Sequence, residues 1–227
     1  MVLVDGEFSE EKQYKILIVG EPACGKSSLV LRYCHDEFSR QYYPTGGVDV
    51  FLKRTLVEAQ SVRLVIWDIS GNALSSTLLD KYLYGAHAVL LTFDITNSTS
   101  FVALPAWYNA VLNITSSSSL GRPLISVIAN KLSLFFLGDI EHQRAVPLDK
   151  QRKFVNENRL FLHSVSTRTG DNVALTFQRI IASLLGIKLS KLEIEANQKV
   201  VKAEVFVSHP HQHNTSTQTP SSICTIQ

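Results

Sequence analysis

Six short runs of the chain are apolar on nearly every residue or on alternate ones, at about 14–19, 48–57, 62–67, 87–93, 123–129 and 160–165. Runs of that length predict strands. Between them, near 27–36, 75–84, 99–114, 147–157 and 172–185, apolar residues recur at helical spacing. The runs at 48–57 and 62–67 are joined by so short a link that they predict one hairpin. Everything later alternates strand and helix, which builds a mostly parallel sheet with helices on both faces. Ala88-Val89-Leu90-Leu91 and Leu124-Ile125-Ser126-Val127-Ile128 are almost uniformly apolar, as strands covered on both faces must be. In such a sheet the ligand site lies at the carboxyl ends of the strands.

Composition divides the 227 residues into an N-terminal extension (1–13), a domain (14–186) and a tail (187–227). Residues 187–204 are compatible with a helix, whereas 208–223 are rich in Ser, Thr, His, Pro, Gln and Asn and read as a flexible tail. A net charge of +2 supplies no basic field, so nucleic acid is not an expected partner. The acidic start (Asp5, Glu7, Glu10, Glu11) is not that of a signal peptide. No apolar run approaches the ~18 residues of a membrane span. Cys24, Cys34 and Cys224 have neither metal-ligand spacing nor pairing logic, which points to a reducing cytoplasm.

The chemistry begins after the first strand run. Gly20-Glu21-Pro22-Ala23-Cys24-Gly25-Lys26-Ser27 fits G-x-x-x-x-G-K-[ST], between a strand-like run and a helix-like one beginning at Ser28. Its glycines let the backbone curl so that successive N–H groups of 23–28 face one phosphate, and the new helix adds its positive end. Lys26 supplies a point charge for the outer phosphates, and the Ser27 hydroxyl is placed to ligate Mg²⁺. Cys24 reads as a small filler within this loop.

Four further segments fall where a nucleotide site needs them. Thr45 lies between the first helix and the second strand, where its hydroxyl can join Mg²⁺ when a γ-phosphate is present. Asp68 ends the third strand run as a carboxylate for the metal, and a backbone N–H at Gly71 can meet the γ-phosphate. Asn130-Lys131 and Ser166-Thr167-Arg168 follow the last two strand runs and are expected to read the base; Phe38 is placed to pack on the nucleoside.

Together these residues resemble the Ras superfamily of small GTPases. Tyr43-Pro44-Thr45-Gly46-Gly47-Val48-Asp49, Trp67-Asp68-Ile69-Ser70-Gly71, Tyr82-Leu83-Tyr84-Gly85-Ala86 and Phe93-Asp94-Ile95-Thr96 point to its Rab branch. Leu79-Asp80-Lys81-Tyr82, Leu185-Gly186-Ile187-Lys188-Leu189 and Ser222-Ile223-Cys224 look most like the divergent farnesylated subfamily numbered twenty-eight. The resemblance implies an α/β P-loop G domain: a six-stranded, mostly parallel sheet with one antiparallel hairpin strand and five flanking helices. It also implies GTP or GDP and Mg²⁺ as ligands, a monomeric switch, and trafficking or ciliary partners. Effectors, an exchange factor and a GTPase-activating protein would meet residues 45–49 and 70–84.

The chain departs from that pattern twice. The water-orienting Gln of the family is Asn72 here; the amide is one methylene shorter, and positioning of a reacting water tolerates little retraction. Slow hydrolysis is therefore expected. The base-reading motif Asn-Lys-x-Asp is interrupted: Asn130-Lys131-Leu132 is followed by Ser133-Leu134-Phe135-Phe136-Leu137-Gly138, and only then by Asp139. Deleting 133–138 would restore the motif. The alternative to a cycling switch is accordingly a pseudo-GTPase adaptor with impaired guanine binding.

At the end of the chain, Cys224-Thr225-Ile226-Gln227 fits C-a-a-X, with a terminal Gln that favours farnesyl transfer to Cys224. Residues 187–227 hold four lysines against three glutamates, so there is no polybasic second signal. One lipid chain alone gives reversible membrane residence on the cytosolic leaflet, which predicts exchange with a soluble prenyl-binding carrier.

Overall fold

The computed structural model describes residues 11–116, 121–132 and 144–197, and the backbone of 2–4 and 7–9. The two short strands β1 (Val2–Val4) and β2 (Glu7–Ser9) pair antiparallel ahead of the main domain. The domain runs β3 (Lys12–Val19), α1 (Lys26–His35), β4 (Val48–Val57), β5 (Gln60–Ile69), α2 (Leu79–Leu83), β6 (Ala88–Asp94), α3 (Ser98–Val102), α4 (Leu104–Ser116), β7 (Leu124–Asn130), α5 (Leu148–Asn158), β8 (Phe161–Ser164), α6 (Val173–Leu185) and α7 (Lys191–Asn197).

The six strands lie in the order β4-β5-β3-β6-β7-β8, and only the β4–β5 pair is antiparallel. Side chains alternate across this sheet with the period-two rule of a strand. In β3, Ile16 and Ile18 pack with Leu29, Val30, Phe177 and Ile181 of α1 and α6. Leu17 and Val19 face the other way, onto Leu104, Trp107 and Val111 of α4 and Leu79 and Leu83 of α2. All four β3 residues are wholly buried. The central strands are thus held by two apolar layers, and their carboxyl ends are fixed relative to one another.

The six strands and the hairpin match the sequence expectation, while four details differ. The hairpin turn is only two residues, Glu58 and Ala59, both at positive φ (46° and 62°), so β5 begins at Gln60 rather than 62. That is a mirror-image turn built without the usual Asn or Gly, and composition gives no signal for it. The helix expected over 99–114 is divided at Ala103, because Pro105 has no N–H to donate to the carbonyl of Phe101. The helix expected over 75–84 shrinks to α2, preceded by one tight turn at Ala73–Ser75. Beyond α6, Gly186 takes the left-handed conformation (φ 72°) and stops the helix, so α7 is a separate element rather than an extension. Among the described residues, no helix is long and apolar enough to cross a membrane.

Candidate functional site

The carboxyl ends of β3, β5 and β7 and the loops after them enclose a cleft of about 610 Å³. Its walls include Ala23, Gly25, Lys26, Ser27 and Ser28 of the loop after β3, together with Phe38, Thr45, Asp68, Gly71, Asn72, Lys131 and Thr167. Residues drawn from five separate segments of the sequence therefore share one concavity.

The loop at 20–27 curls through Gly20 (φ 140°), Ala23 (φ 59°) and Gly25 (φ 90°) before α1 starts at Lys26. A Cβ on Gly25 would sit 2.2 Å from Nδ2 of Asn130, so the absence of a side chain lets Asn130 approach the loop. The buried Asn130 uses that approach: its Nδ2 donates to the Cys24 carbonyl (3.0 Å), and its Oδ1 accepts from the N–H groups of Lys131 (2.7 Å) and Thr167 (3.3 Å). Asn130 acts as a clamp between loops. Gly20 and Cys24 are likewise buried beneath the cleft rather than on its wall. Burial pushes the Cys24 thiol up to about 11, so it stays protonated and inert at neutral pH, in keeping with a filler.

Lys26 is only 6% exposed, and its ammonium donates to the carbonyls of Gly20 and Glu21, both at 2.9 Å. Beside it three oxygens converge. Ser27 Oγ donates to Asp68 Oδ2 (2.5 Å), Thr45 Oγ1 donates to the same oxygen (3.2 Å), and the two hydroxyls are 3.1 Å apart. Asp68 is completely buried, and its Oδ1 has no hydrogen-bond partner. Burial raises the Asp68 carboxyl above its ordinary range, while the Ser27 hydroxyl and the Lys26 charge oppose that rise. An orphaned carboxylate oxygen beside two hydroxyls is a hard-oxygen donor set, and such a set fits a magnesium ion.

Gly71 packs directly on the loop: a Cβ there would meet the Pro22 nitrogen at 2.3 Å. Asn72 follows on the exposed rim, where its N–H reaches Ser70 Oγ at 3.4 Å. Lys131 stands at positive φ (72°), and its Nζ pairs with Asp94 Oδ2 at 2.6 Å. Ser166 is buried with its Oγ accepting from the Thr169 N–H, whereas Arg168 is exposed. Phe38 is half-buried, its ring centroid 6.0 Å from the Arg32 guanidinium carbon. Asp139 and Cys224 lie outside the described residues.

Two contributors escaped the sequence reading. Arg32 donates from α1 to the carbonyls of Thr167 (2.9 Å) and Arg168 (3.0 Å), holding that loop beside the cleft. Asp94 anchors Lys131, and it also accepts from the N–H and hydroxyl of Thr96. The motif string around Asp94 was visible; its partner across the sheet was not.

The family model described as "Ras family" matches residues 15–186. The chain is 35% identical to the Ras-related protein Rab-28 of Caenorhabditis elegans, over 91% of this chain and 81% of that protein. It is 31% identical to Rab-18 of Lymnaea stagnalis, over 75% of this chain and 80% of the relative. RabQ of Dictyostelium discoideum is 29% identical over 78% and 82% of the two chains. The chain belongs to the Ras family, on its Rab branch. This Rab-branch GTPase is a GTP-binding switch in trafficking.

Proposed function

We propose that the protein binds GTP and GDP with Mg²⁺ in the 610 Å³ cleft, hydrolyses GTP slowly, and controls membrane or ciliary trafficking through effectors. One observation carries the site assignment: Ser27, Thr45 and Asp68 converge on a single point beside the buried Lys26. In this reading Ser27, Thr45 and Asp68 hold the magnesium ion. Bound there, the ion would supply positive charge to offset that of the phosphates. The backbone of 23–28 cradles the phosphates, Lys26 places its charge on the outer ones, and the Gly71 N–H meets the γ-phosphate. Thr45 is the group whose position depends on that last phosphate, which makes its loop the switch. Hydrolysis adds water at the γ-phosphorus, breaks the bond to the β,γ-bridging oxygen and leaves GDP and phosphate.

Asn72 is placed beside Gly71 to orient that water, but with a short side chain. The slow rate is expected to rise roughly tenfold or more in Asn72→Gln, measured by single-turnover hydrolysis without any activating protein. Equal rates would remove the assignment.

Phe38, Lys131 and the 166–168 loop are proposed to flank the nucleoside end, and Asn130 ties Lys131 and Thr167 to the phosphate loop. Asp139 is proposed to reach the guanine despite residues 133–138. Two charge-assisted hydrogen bonds from the base, each worth ~1.5–3 kcal/mol, depend on that carboxylate. The full chain and a variant lacking 133–138 are therefore expected to bind GDP within about tenfold of one another, both far above ADP. A full chain that binds the two diphosphates alike, while the deletion variant prefers GDP, would show that the carboxylate does not arrive.

Exposed Tyr42, Tyr43 and Tyr84 beside the switch segments support effector, exchange-factor and activator docking at 45–49 and 70–84. Farnesyl transfer to Cys224 would supply the anchor, a monomer exchanging between the cytosolic leaflet and a prenyl-binding carrier. Incubation with farnesyl diphosphate and farnesyltransferase should label the chain but not Cys224→Ser, which should also leave membranes and the ciliary base; equal labelling would exclude this site.

A further inference from the structure

Glu21 is the second residue of the phosphate loop, and it is the loop's only acidic side chain. A free carboxylate at that position is a liability. It would stand in the field of a bound triphosphate and would be a tethered rival for the Lys26 ammonium, at an effective concentration no dissolved anion matches. Glu21 nevertheless takes no part in the cleft wall, although Pro22 and Ala23 beside it do.

The reason lies on α4. Trp107 is completely buried between the sheet and α2, and its indole Nε1 donates to Glu21 Oε1 at 3.1 Å. The same residue's backbone carbonyl accepts from Lys26 Nζ at 2.9 Å. Glu21 therefore presents a neutral dipole to Lys26 while its charge is turned into the protein, onto a donor that cannot move because its ring fills the core. An indole N–H inside a core needs an acceptor, and Glu21 supplies it.

We propose that Trp107 and Glu21 form a positioning pair that parks the only acidic side chain of the phosphate loop away from the nucleotide, leaving Lys26 free for phosphate. This rests on the reading of the cleft as the GTP site. Nucleotide retention then depends on a helix that does not touch the nucleotide. Because Trp107 shares its apolar layer with Leu79 and Leu83 of α2, a partner that displaces α2 has a route to the same carboxylate.

The test is the release rate of a fluorescent GDP from the full chain in Mg²⁺, measured for four proteins. Trp107→Phe frees the carboxylate while keeping most of the ring volume, and release is expected to accelerate about tenfold or more. Glu21→Gln alone keeps an acceptor for the indole and removes a charge already turned away, so release is expected to stay within about threefold of the parent. Adding Glu21→Gln to Trp107→Phe is expected to return the rate to within about threefold of the parent chain. A void in the core cannot be repaired by neutralising a loop residue, so this rescue separates parking from packing. Release as fast in the double variant as in Trp107→Phe, or an unchanged rate in Trp107→Phe, would overturn the proposal. Should Trp107→Phe fail to fold, Trp107→Met takes its place with the same rescue expected. A parent chain that retains no guanine nucleotide would instead overturn the reading of the cleft, and this pair's role with it.

Discussion

Asn130→Ala is expected to lower the melting temperature of the nucleotide-free chain by roughly 6–12 °C and to weaken GDP binding by about a hundredfold. The side chain is completely buried and makes three hydrogen bonds, to the Cys24 carbonyl and from the N–H groups of Lys131 and Thr167. Truncation leaves the Cys24 carbonyl and the Thr167 N–H without those partners in the interior, at ~1–3 kcal/mol each. A total near 3 kcal/mol corresponds to ~2–4 °C per kcal/mol in a domain of this size. Binding suffers more than stability, because the clamp joins the phosphate loop to the loop beside the nucleoside. Each loop can still fold, but the two halves of the site lose their common register. Asn130→Asp keeps the acceptor and loses the donor, so its effect should fall between those of the parent and the alanine variant. Differential scanning calorimetry and GDP titration measure both quantities. A shift below 2 °C with unchanged affinity would show that Asn130 is not the clamp.

The parts of this architecture that could be read from the chain are those set by local pattern. Strands covered on both faces announce themselves by continuous apolar runs, as β6 and β7 do, and the turn between β3 and α1 by its spaced glycines. Ser27, Thr45 and Asp68 were each recognisable because family strings surround them, and the fold brings all three within hydrogen-bond distance. What stayed hidden depends on sequence-distant partners. Arg32 looks like a solvated helix residue until the Thr167 carbonyl, 135 positions on, folds onto it. Lys131 reads as a base-contacting residue from the motif alone, yet here its ammonium is held by Asp94. The two-residue turn at Glu58 and Ala59 carries no composition signal, because tertiary pairing of β4 with β5 imposes the left-handed backbone. The 99–114 pattern reads as one helix although it contains Pro105, and the helix divides beside that residue.

Lys26→Ala carries the other large expectation. The ammonium is buried at the head of α1, with two loop carbonyls fixing its direction. Its remaining donor capacity and its full charge are available to phosphate oxygens in the cleft. Phosphate contacts from an ammonium are charge-assisted, worth ~1.5–3 kcal/mol each, so losing two raises the dissociation constant by roughly 10²–10⁴. The alanine also leaves the carbonyls of Gly20 and Glu21 without their donor, which loosens the curl that aims the backbone N–H groups. The fold itself should persist, because both apolar layers that fix the sheet lie away from this side chain.

The most direct measurement is an isothermal titration of Mg²⁺–GTP into the full chain and into Lys26→Ala, after removal of any carried nucleotide, with circular dichroism as the check on folding. A cleft that grips a polyphosphate predicts a tight binding isotherm for the parent chain and, for a folded Lys26→Ala, one weakened by roughly 10²–10⁴. Matching isotherms for the two proteins would contradict it.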